Sequence, residues 1–334
     1  MTSMAQRDTL LAQTTTRTAE LELRPLALKL FEMESALARV IRGKQEALRL
    51  ALVAVLSRGH LLIEDVPGVG KTTLAHALAL LGQASFNRIQ FTSDMLPSDV
   101  VGVTIYNAQT REFEFKPGPV FTQFLLADEI NRATPKTQSA LLEAMNEQQV
   151  TVDGRTYPLP MPFVVIATQN PIEHHGTYPL PESQLDRFLM RIQLGYPGME
   201  AEREILRNSD TTPLDLLQPV VSSSELTQLQ DAVVGIRVEE PVIDYILAIV
   251  EQTRNHEGLV LGESPRGSQA QYRAAQALAM LEGRHFVIPE DVKRLAVPVF
   301  AHRVAVNSRK TLGRLTDAAA KIIEDILLKV EVPL

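Results

Sequence analysis

The spacing of hydrophobic and polar residues divides the chain into helical and strand-like segments. From Leu26 to Ile41 apolar residues recur at helical spacing and Gly43 follows as a stop signal, which predicts a first helix. A second helix is predicted from Gln45 to about Ser57. Short apolar runs then alternate with helical patterns and predict buried strands: His60–Glu64, Asn87–Phe91, Phe124–Ala127 and Phe163–Ala167. Such an alternation is typical of a parallel sheet covered by helices on both faces.

Two further segments have the pattern of β-hairpins. In Val103–Phe121, two runs of mixed apolar and polar residues flank a polar turn. In Gln149–Leu159, the dipeptide Asp153-Gly154 marks a tight hairpin turn. After Gly198 the segments are mainly helical. We therefore predict a disordered lead-in over 1–20, an α/β domain over 21–198 and a helical domain over 199–334.

The most specific motif is a glycine-rich loop between the first predicted strand and the next helix, Pro67-Gly68-Val69-Gly70-Lys71-Thr72-Thr73. Glycines let successive backbone N–H groups point at phosphate oxygens, and the helix N-terminus adds its positive end. In this loop Lys71 would reach the terminal phosphates of a nucleotide, and the Thr72 hydroxyl would ligate Mg²⁺. The full pattern has glycine where Asp65 stands, and we expect the loop to form without it. A strand-to-helix turn with no ligand is the ordinary alternative.

Two carboxylates end the strand that begins at Phe124. Asp128 would hold Mg²⁺ through its waters, and Glu129 would act as the general base that polarises the attacking water. The alternative is that these acids cap the helix predicted to begin near Pro135. The phosphate loop upstream favours the catalytic interpretation, and the second carboxylate suits a hydrolase better than a kinase.

A neutral polar side chain follows the next strand. Asn170, in Ala167-Thr168-Gln169-Asn170-Pro171, could orient the water between Glu129 and the γ-phosphate. Taken alone, Asn-Pro is more often a turn starter.

Composition and charge narrow the function classes. The 334 residues include 40 Asp and Glu, 33 Lys and Arg and no Cys, giving a formal net charge of −7. Without Cys, disulfides, zinc ribbons and thiol nucleophiles are excluded. The net negative charge argues against a protein that binds nucleic acids in general. The sequence contains no run of about 18 apolar residues, so no membrane span is predicted. We expect a cytoplasmic protein. A basic cluster near the C-terminus is interpreted as solvated helical surface: His302, Arg303, Arg309, Lys310 and Arg314.

With these parts in this order, the sequence resembles the AAA+ ATPases, and more closely the MoxR family within the helix-2-insert clade. The resemblance runs from about Leu26 to the C-terminus. It implies a P-loop NTPase core, in which helices sandwich a parallel sheet, followed by a smaller all-α lid. The motifs that carry it are Val40-Ile41-Arg42-Gly43, Glu64–Thr72 (Walker A), Asp128–Ala133 (Walker B), Ala167–Pro171 (sensor 1), Tyr178–Glu182 and Leu185–Phe188.

The resemblance assigns further roles. It implies that Ile41 and Gly43 lie near the adenine, and that the two hairpins engage partners or substrates. Arg187 stands where the family has an arginine finger, which reaches the γ-phosphate bound by an adjacent subunit. Its alternative is an ion pair with Asp186 or Glu182. Arg266 matches sensor 2, and an Arg at a helix N-terminus opposes the macrodipole unless an anion accompanies it. Arg132, Arg191, Gln90 and Thr92 are secondary candidates.

The function that the resemblance implies is a Mg²⁺- and ATP-dependent, chaperone-like motor. It would remodel or activate partner proteins, often ones with a von Willebrand A domain, and a finger supplied by another subunit implies a homo-oligomer, expected to be a hexameric ring. Two alternatives stay open. One is the motor subunit of a metal-chelatase-like complex, and the other is a DNA-translocating motor, which the net negative charge of the chain disfavours. A GTP switch is disfavoured because the chain has no Asn-Lys-x-Asp motif.

Overall fold

The computed structural model describes residues 25–171, 176–207, 213–307 and 315–333. The lead-in predicted over 1–20 lies outside the described residues, as do Arg309, Lys310 and Arg314. A helix over 25–40 (α1) precedes α2 (Gln45–Leu56). Both predicted helices are confirmed to within about one residue.

Five parallel strands form the central sheet of the described chain. In order across the sheet they are β2 (Phe86–Gln90), β5 (Phe124–Asp128), β8 (Val164–Gln169), β1 (Leu61–Glu64) and β9 (Met190–Ile192). The four predicted strands are confirmed, whereas β9 was missed because three residues are too short for a periodic signal. The edge strand β2 is partly exposed, while β1 and β5 are buried along their whole length.

The segments between the sheet strands hold helices and the two predicted hairpins. The hairpins pair antiparallel, and their aromatic rings meet where Phe115 stacks on Tyr157 at 4.1 Å. The elements are α3 (Lys71–Leu81), α4 (Pro97–Val101), β3 (Gly102–Asn107), β4 (Glu112–Pro117), α5 (Pro135–Glu147), β6 (Gln149–Val152), β7 (Arg155–Pro158) and α6 (Glu182–Leu185). Both hairpin predictions are confirmed.

The part that follows the sheet is helical, as predicted, with the addition of one short antiparallel ribbon. We call this part the lid. Its elements are α7 (Met199–Arg207), α8 (Ser223–Val234), α9 (Glu240–Asn255), β10 (Leu259–Leu261), α10 (Pro265–Leu281), α11 (Pro289–Phe300), β11 (Ala305–Val306) and α12 (Leu315–Lys329). No helix of the described residues is both long and apolar enough to cross a bilayer.

Alternate residues of the sheet strands point into two hydrophobic clusters, one on each face. Ile63 and Leu126 join a cluster that continues through α2 into lid helices such as α10. Leu62 and Leu125 join the second cluster, which packs against α5. Because the first cluster runs from the sheet into the lid, the lid is anchored on the same core as the strands.

Candidate active site and the arginine cavity

The phosphate loop connects β1 to α3. Gly68 and Gly70 have φ of +84° and +96°, in the left-handed region that glycine adopts without strain. A Cβ at either position would meet nothing within 4 Å, so the backbone angle rather than space requires glycine there. Gly70 precedes the first residue of α3, whose N-terminus has no side-chain cap. These open amides leave a helix terminus suited to an anion.

Lys71 is the first residue of α3 and folds back over the loop. Its Nζ donates to the carbonyl oxygen of Asp65 at 2.7 Å. Partial burial lowers the pKa of Lys71, while the nearby carboxylates of Asp128, Asp65 and Glu129 oppose that shift. The Lys71 ammonium group is therefore close enough to Asp128 and Glu129 to interact with both carboxylates electrostatically. Thr72 follows on the exposed side of the helix.

The Asp65 carboxylate accepts hydrogen bonds from three backbone amides around the start of the phosphate loop. Its Oδ1 accepts from the Val66 amide at 2.9 Å, and its Oδ2 accepts from the amides of Leu194 and Gly195 at 2.7 and 2.5 Å. Glycine could not make these bonds. The departure from the usual pattern thus ties the start of the loop to the segment that follows β9.

Asp128 and Glu129 lie at the carboxyl end of β5, and Thr168 on β8 joins them. The Thr168 hydroxyl donates to Asp128 Oδ1 at 2.5 Å and accepts from the Glu129 amide at 2.9 Å. Sequence reasoning missed Thr168, although a hydroxyl at the end of an otherwise apolar strand was a visible signal. The alternative that these acids cap α5 is wrong, since Thr134 is the N-cap and accepts from the Thr137 amide.

Glu129 has φ +57°, a left-handed conformation that is uncommon for a residue with a side chain. Its Oε2 accepts from Gln90 Nε2 at 2.8 Å and pairs with Arg132 Nε at 3.0 Å. Of the two residues considered at the end of β2, Gln90 therefore reaches the acid. Thr92 instead donates to Asp94 at 2.6 Å.

Arg88 on β2 is a second residue that the sequence did not single out. Its Nη2 and Nε both donate to Asp128 Oδ2, at 2.7 and 3.2 Å. Arg88 and Gln90 are two residues apart on one strand, so they share a face of the sheet. An Arg and a Gln at that spacing on the strand next to Walker B was the signal available.

Asn170 and Arg191, two other candidates from the sequence, have different surroundings. Asn170 is buried directly after β8, beside the strand ends that carry the acids. Arg191 pairs with Glu64 Oε2 at 2.8 Å; the Glu64 side chain is buried and that of Arg191 is mostly buried. Arg191 therefore forms an ion pair with the last residue of β1, just before the phosphate loop.

The residues expected near the adenine lie where the core meets the start of the lid. Ile41 is buried, and Gly43, with φ +71°, lies against the methyl group of Ala201. Lys44 Nζ donates to the carbonyl oxygen of Tyr196. The loop after α1 is thus held against the segment that leads into α7.

Arg187 and Arg266 line a separate cavity of about 720 Å³, whose lining includes none of the phosphate-loop residues 65–73. Arg187 lies against α5 and donates from Nη1 to the carbonyl oxygen of Leu142 at 2.6 Å. Within the described residues it forms no ion pair with Asp186 or Glu182. We call this space the arginine cavity; its basic lining residues are His60, Arg58, Arg187, Arg266, Arg273 and Arg303.

Arg303 holds the lid against this part of the core. It is 4% exposed, its Nε donates to Asp186 Oδ1 at 3.0 Å, and its other nitrogens donate to the carbonyl oxygens of Phe188, Leu189 and Val299. His302 is equally buried. The interpretation of His302 and Arg303 as solvated surface is therefore wrong, because tertiary packing places both between the lid and the core.

Asp186 links the two predicted arginines. It immediately precedes Arg187, accepts from Ser264 Oγ at 3.3 Å and lies 4.0 Å from Arg266 Nη1. Ser264 caps α10 by accepting from the Gly267 amide at 3.2 Å. The helix that carries Arg266 is thereby positioned by the residue next to Arg187.

Glu263 lies behind this junction. It is 2% exposed and packs against Gly267, and among the described residues neither of its carboxylate oxygens has a hydrogen-bond partner. Burial raises its pKa to about 8, although Arg303 acts in the opposite direction. Glu263 is therefore mostly protonated at neutral pH.

The oxygen donors of the phosphate site suit Mg²⁺. Among the described residues no group of three or more His, Asp or Glu could hold a metal alone. Mg²⁺ bound with a nucleotide needs only one or two protein oxygens, because phosphates and water complete its shell. The Thr72 hydroxyl, on the residue after Lys71, and the Asp128 carboxylate, which interacts electrostatically with Lys71, fit that requirement.

Comparison with known proteins places these features in a family. Residues 60–190 match the family described as ATPase family associated with various cellular activities (AAA), and residues 251–326 match the AAA lid domain. Chaperone MoxR1 of Mycobacterium tuberculosis is 42% identical over 323 residues, covering 93% of this chain and 83% of that protein. The chain belongs to the MoxR family of AAA+ ATPases. This confirms the family expected from the motifs.

Two further relatives extend the likeness over nearly the whole chain. YeaC of Bacillus subtilis, described as uncharacterized, is 49% identical over 88% of this chain and 92% of its own length. A crystal structure from Cytophaga hutchinsonii, described as that of a candidate ATPase, has a TM-score of 0.85 and 37% identity, and covers 97% of this chain and 100% of its own. The MoxR fold prediction, an AAA core followed by a lid, is confirmed, and membership of an ATPase family implies nucleotide binding.

Proposed function

We propose that this MoxR chain is a cytoplasmic, Mg²⁺-dependent ATPase that works as a ring, expected to be hexameric, and remodels partner proteins. The observation that carries the proposal is the electrostatic interaction of Lys71, in the loop-to-helix turn after β1, with Asp128 and Glu129 at the carboxyl end of β5. In the sheet these two strands flank β8. Chaperone MoxR1, a relative over most of the chain, supports the chaperone-like output.

On the phosphate side, residues 67–73 would cradle the phosphates and Lys71 would neutralise their charge. Thr72 and Asp128 would hold Mg²⁺, which when bound supplies charge neutralisation at the phosphates. Glu129 would take a proton from the attacking water as Asn170 orients that water. Ile41 and Gly43 would border the base.

The arginine cavity supports a second, intermolecular role. Arg187 and Arg266 open into the same space, and that space contains no residue of their own phosphate loop. We infer that both arginines act on a nucleotide held by an adjacent subunit, where they would stabilise the charge of the transition state. Asp186 would position the start of the helix that carries Arg266, and the carbonyl oxygen of Leu142 would hold the Arg187 guanidinium.

Mixing inactive variants tests this arrangement. Glu129→Gln should bind ATP without turnover, and Arg187→Ala or Arg266→Ala should each bind ATP and hydrolyse it about 10³-fold more slowly. Mixing Glu129→Gln with either arginine variant should restore part of the phosphate release, since some interfaces combine an intact base with an intact arginine.

The matched control is a mixture of Glu129→Gln with Lys71→Ala. Both changes lie on the phosphate side, so no subunit has an intact phosphate pocket and no activity should return. Restoration with Arg187→Ala but not with Arg266→Ala would assign Arg266 to its own subunit. Absence of restoration with both would contradict the intermolecular arrangement.

The client is expected to be a protein, and one with a von Willebrand A domain is the proposed class. The hairpins β3–β4 and β6–β7 would contact it, and the exposed rings of Tyr106 and Phe113, whose centroids are 5.4 Å apart, offer an apolar contact. Capture on the ATP-locked Glu129→Gln form, compared with Lys71→Ala, should enrich the client only in the former. ATPase stimulation by DNA, or by a chelatase partner and macrocycle, would instead favour the alternative motors.

A further inference from the structure

Arg88 is a cation at the active site to which none of the motifs assigns a role. Its Nη2 and Nε hydrogen-bond Asp128 Oδ2 at 2.7 and 3.2 Å, while the Thr168 hydroxyl holds Oδ1 at 2.5 Å. A carboxylate offers about four lone-pair positions for donors. Three of these positions on Asp128 are therefore occupied by protein groups.

The two partners of Asp128 differ in how easily they can leave. Thr168 is buried within the sheet between β5 and β1. Arg88 lies on the edge strand β2, and 48% of its side chain is exposed. Its guanidinium can therefore swing towards solvent while the Thr168 hydroxyl keeps the carboxylate oriented.

The same guanidinium is connected to the proposed general base. Arg88 Nη2 also donates to Gln90 Oε1 at 2.9 Å, and Gln90 Nε2 donates to Glu129 Oε2 at 2.8 Å. The bond from Arg88 holds the Gln90 amide with its NH₂ group towards Glu129. Withdrawal of Arg88 would remove that constraint on Gln90.

From these contacts we propose that Arg88 competes with Mg²⁺ for the carboxylate of Asp128 and is a positioning residue that must withdraw when the metal–nucleotide complex binds. Waters of a bound Mg²⁺ would need the acceptor positions that Arg88 occupies, and the two cations repel each other. Withdrawal would also loosen the hold of Gln90 on Glu129. This inference rests on the proposed Mg²⁺–nucleotide site and adds to it a protein side chain that competes with the metal for Asp128.

The test is the Mg²⁺ dependence of nucleotide binding by the full chain. A fluorescent, non-hydrolysable ATP analogue is bound in EDTA, and Mg²⁺ is then titrated. For Arg88→Gln the half-saturating Mg²⁺ concentration should fall by about two- to fivefold, the change expected when a half-exposed competing ion pair is removed. Affinity for the metal-free analogue measures the fold and the phosphate loop independently, and should stay close to that of the unmodified chain.

Two further variants test whether the shift in the Mg²⁺ titration comes from the charge of Arg88. Arg88→Lys keeps a positive charge and should stay nearer to the unmodified chain than Arg88→Gln does. Arg237→Gln, which removes an exposed arginine paired with Glu239 in the lid, is the matched control and should not shift the titration. A higher Mg²⁺ requirement in Arg88→Gln would mean that Arg88 helps Asp128 to bind the metal, and an unchanged one would mean that it does not compete. Either result overturns the inference, whereas failure of the unmodified chain to bind the analogue would refute the proposed function itself.

Discussion

The phosphate site and the arginine cavity are built in opposite ways. The phosphate site uses one continuous run, residues 65–73, together with the ends of neighbouring strands, and its glycines are required by their own backbone angles. The arginine cavity brings together α5, the segment around Asp186 and the start of α10. The buried Arg303, which comes from the lid, holds the segment around Asp186. The centre of the phosphate site is thus local in sequence, whereas the shape of the arginine cavity depends on how the lid packs.

This difference implies that nucleotide binding and turnover can be separated. Changes to the phosphate loop should affect binding directly. Changes that loosen the lid should leave the loop intact and misplace Arg187 and Arg266, so that binding survives while hydrolysis is lost.

The largest expected effect lies on the phosphate side. Lys71→Ala should abolish measurable ATP binding, because it removes the cation that meets the terminal phosphates. Glu129→Gln should bind ATP normally and reduce turnover by about 10²–10⁴-fold, the usual contribution of a general base. Equilibrium binding and single-turnover phosphate release measure the two quantities, and normal turnover by Glu129→Gln would remove Glu129 as the base.

Arg303→Met tests the dependence of the cavity on the lid. It leaves Asp186 and the carbonyl oxygens of Phe188 and Leu189 without their buried donor, and loss of one partner of a buried ion pair costs about 3–5 kcal/mol. Urea unfolding should show that loss. At temperatures where the variant stays folded, ATP should still bind while turnover falls.

Arg237→Met, which removes an exposed lid arginine, is the control and should change stability by less than about 1 kcal/mol. If Arg303→Met and the control lose stability equally, Arg303 does not hold the lid. If ATP binding is lost together with turnover in the folded variant, the two regions are not separable.

The same contrast explains what could be predicted from sequence. Lys71, Asp128 and Glu129 stand in short runs whose chemistry is local, and the strands that carry them have clear apolar patterns. Arg303 could not be assigned because its burial depends on carbonyl groups more than 100 residues earlier in the chain. Arg88 and Thr168 have visible signals only once the neighbouring strands are known, since the pairing of β2 and β8 with β5 brings them to Asp128.

Asp65 shows the limit of motif matching even within a local run. The pattern marks it as a departure from glycine, whereas the structure gives it three backbone amides to bind. Two of those amides follow β9, a strand too short to be recognised. The reason for the substitution was therefore invisible in the sequence.

A pH titration of stability examines the lid junction through Glu263. Its pKa is about 8 in the folded chain against 4.5 for an ordinary Glu, so between these values the folded state binds one more proton than the unfolded state. Stability from this group is present below about pH 4.5 and decreases by up to about 1.4 kcal/mol per pH unit as pH rises towards 8. Comparison of urea unfolding at pH 5.5 and 7.5 should show this decrease in the unmodified chain, and Glu263→Gln should reduce it. An identical pH dependence in both proteins would mean that Glu263 does not remain protonated.

The smallest expected effect concerns Asp65, where the phosphate site itself depends on a distant segment. Asp65→Gly restores the usual loop pattern but leaves the amides of Leu194 and Gly195 without an acceptor, which should cost about 1–3 kcal/mol of stability. Asp65→Asn keeps one oxygen acceptor and should lose less. Because Gly68 and Gly70 already form the turn, neither variant should bind ATP more tightly, and calorimetric titration at a temperature where both are folded would check this. Tighter binding by Asp65→Gly would show that the hydrogen bonds of Asp65 to Leu194 and Gly195 constrain the loop, and that tertiary packing limits even this local site.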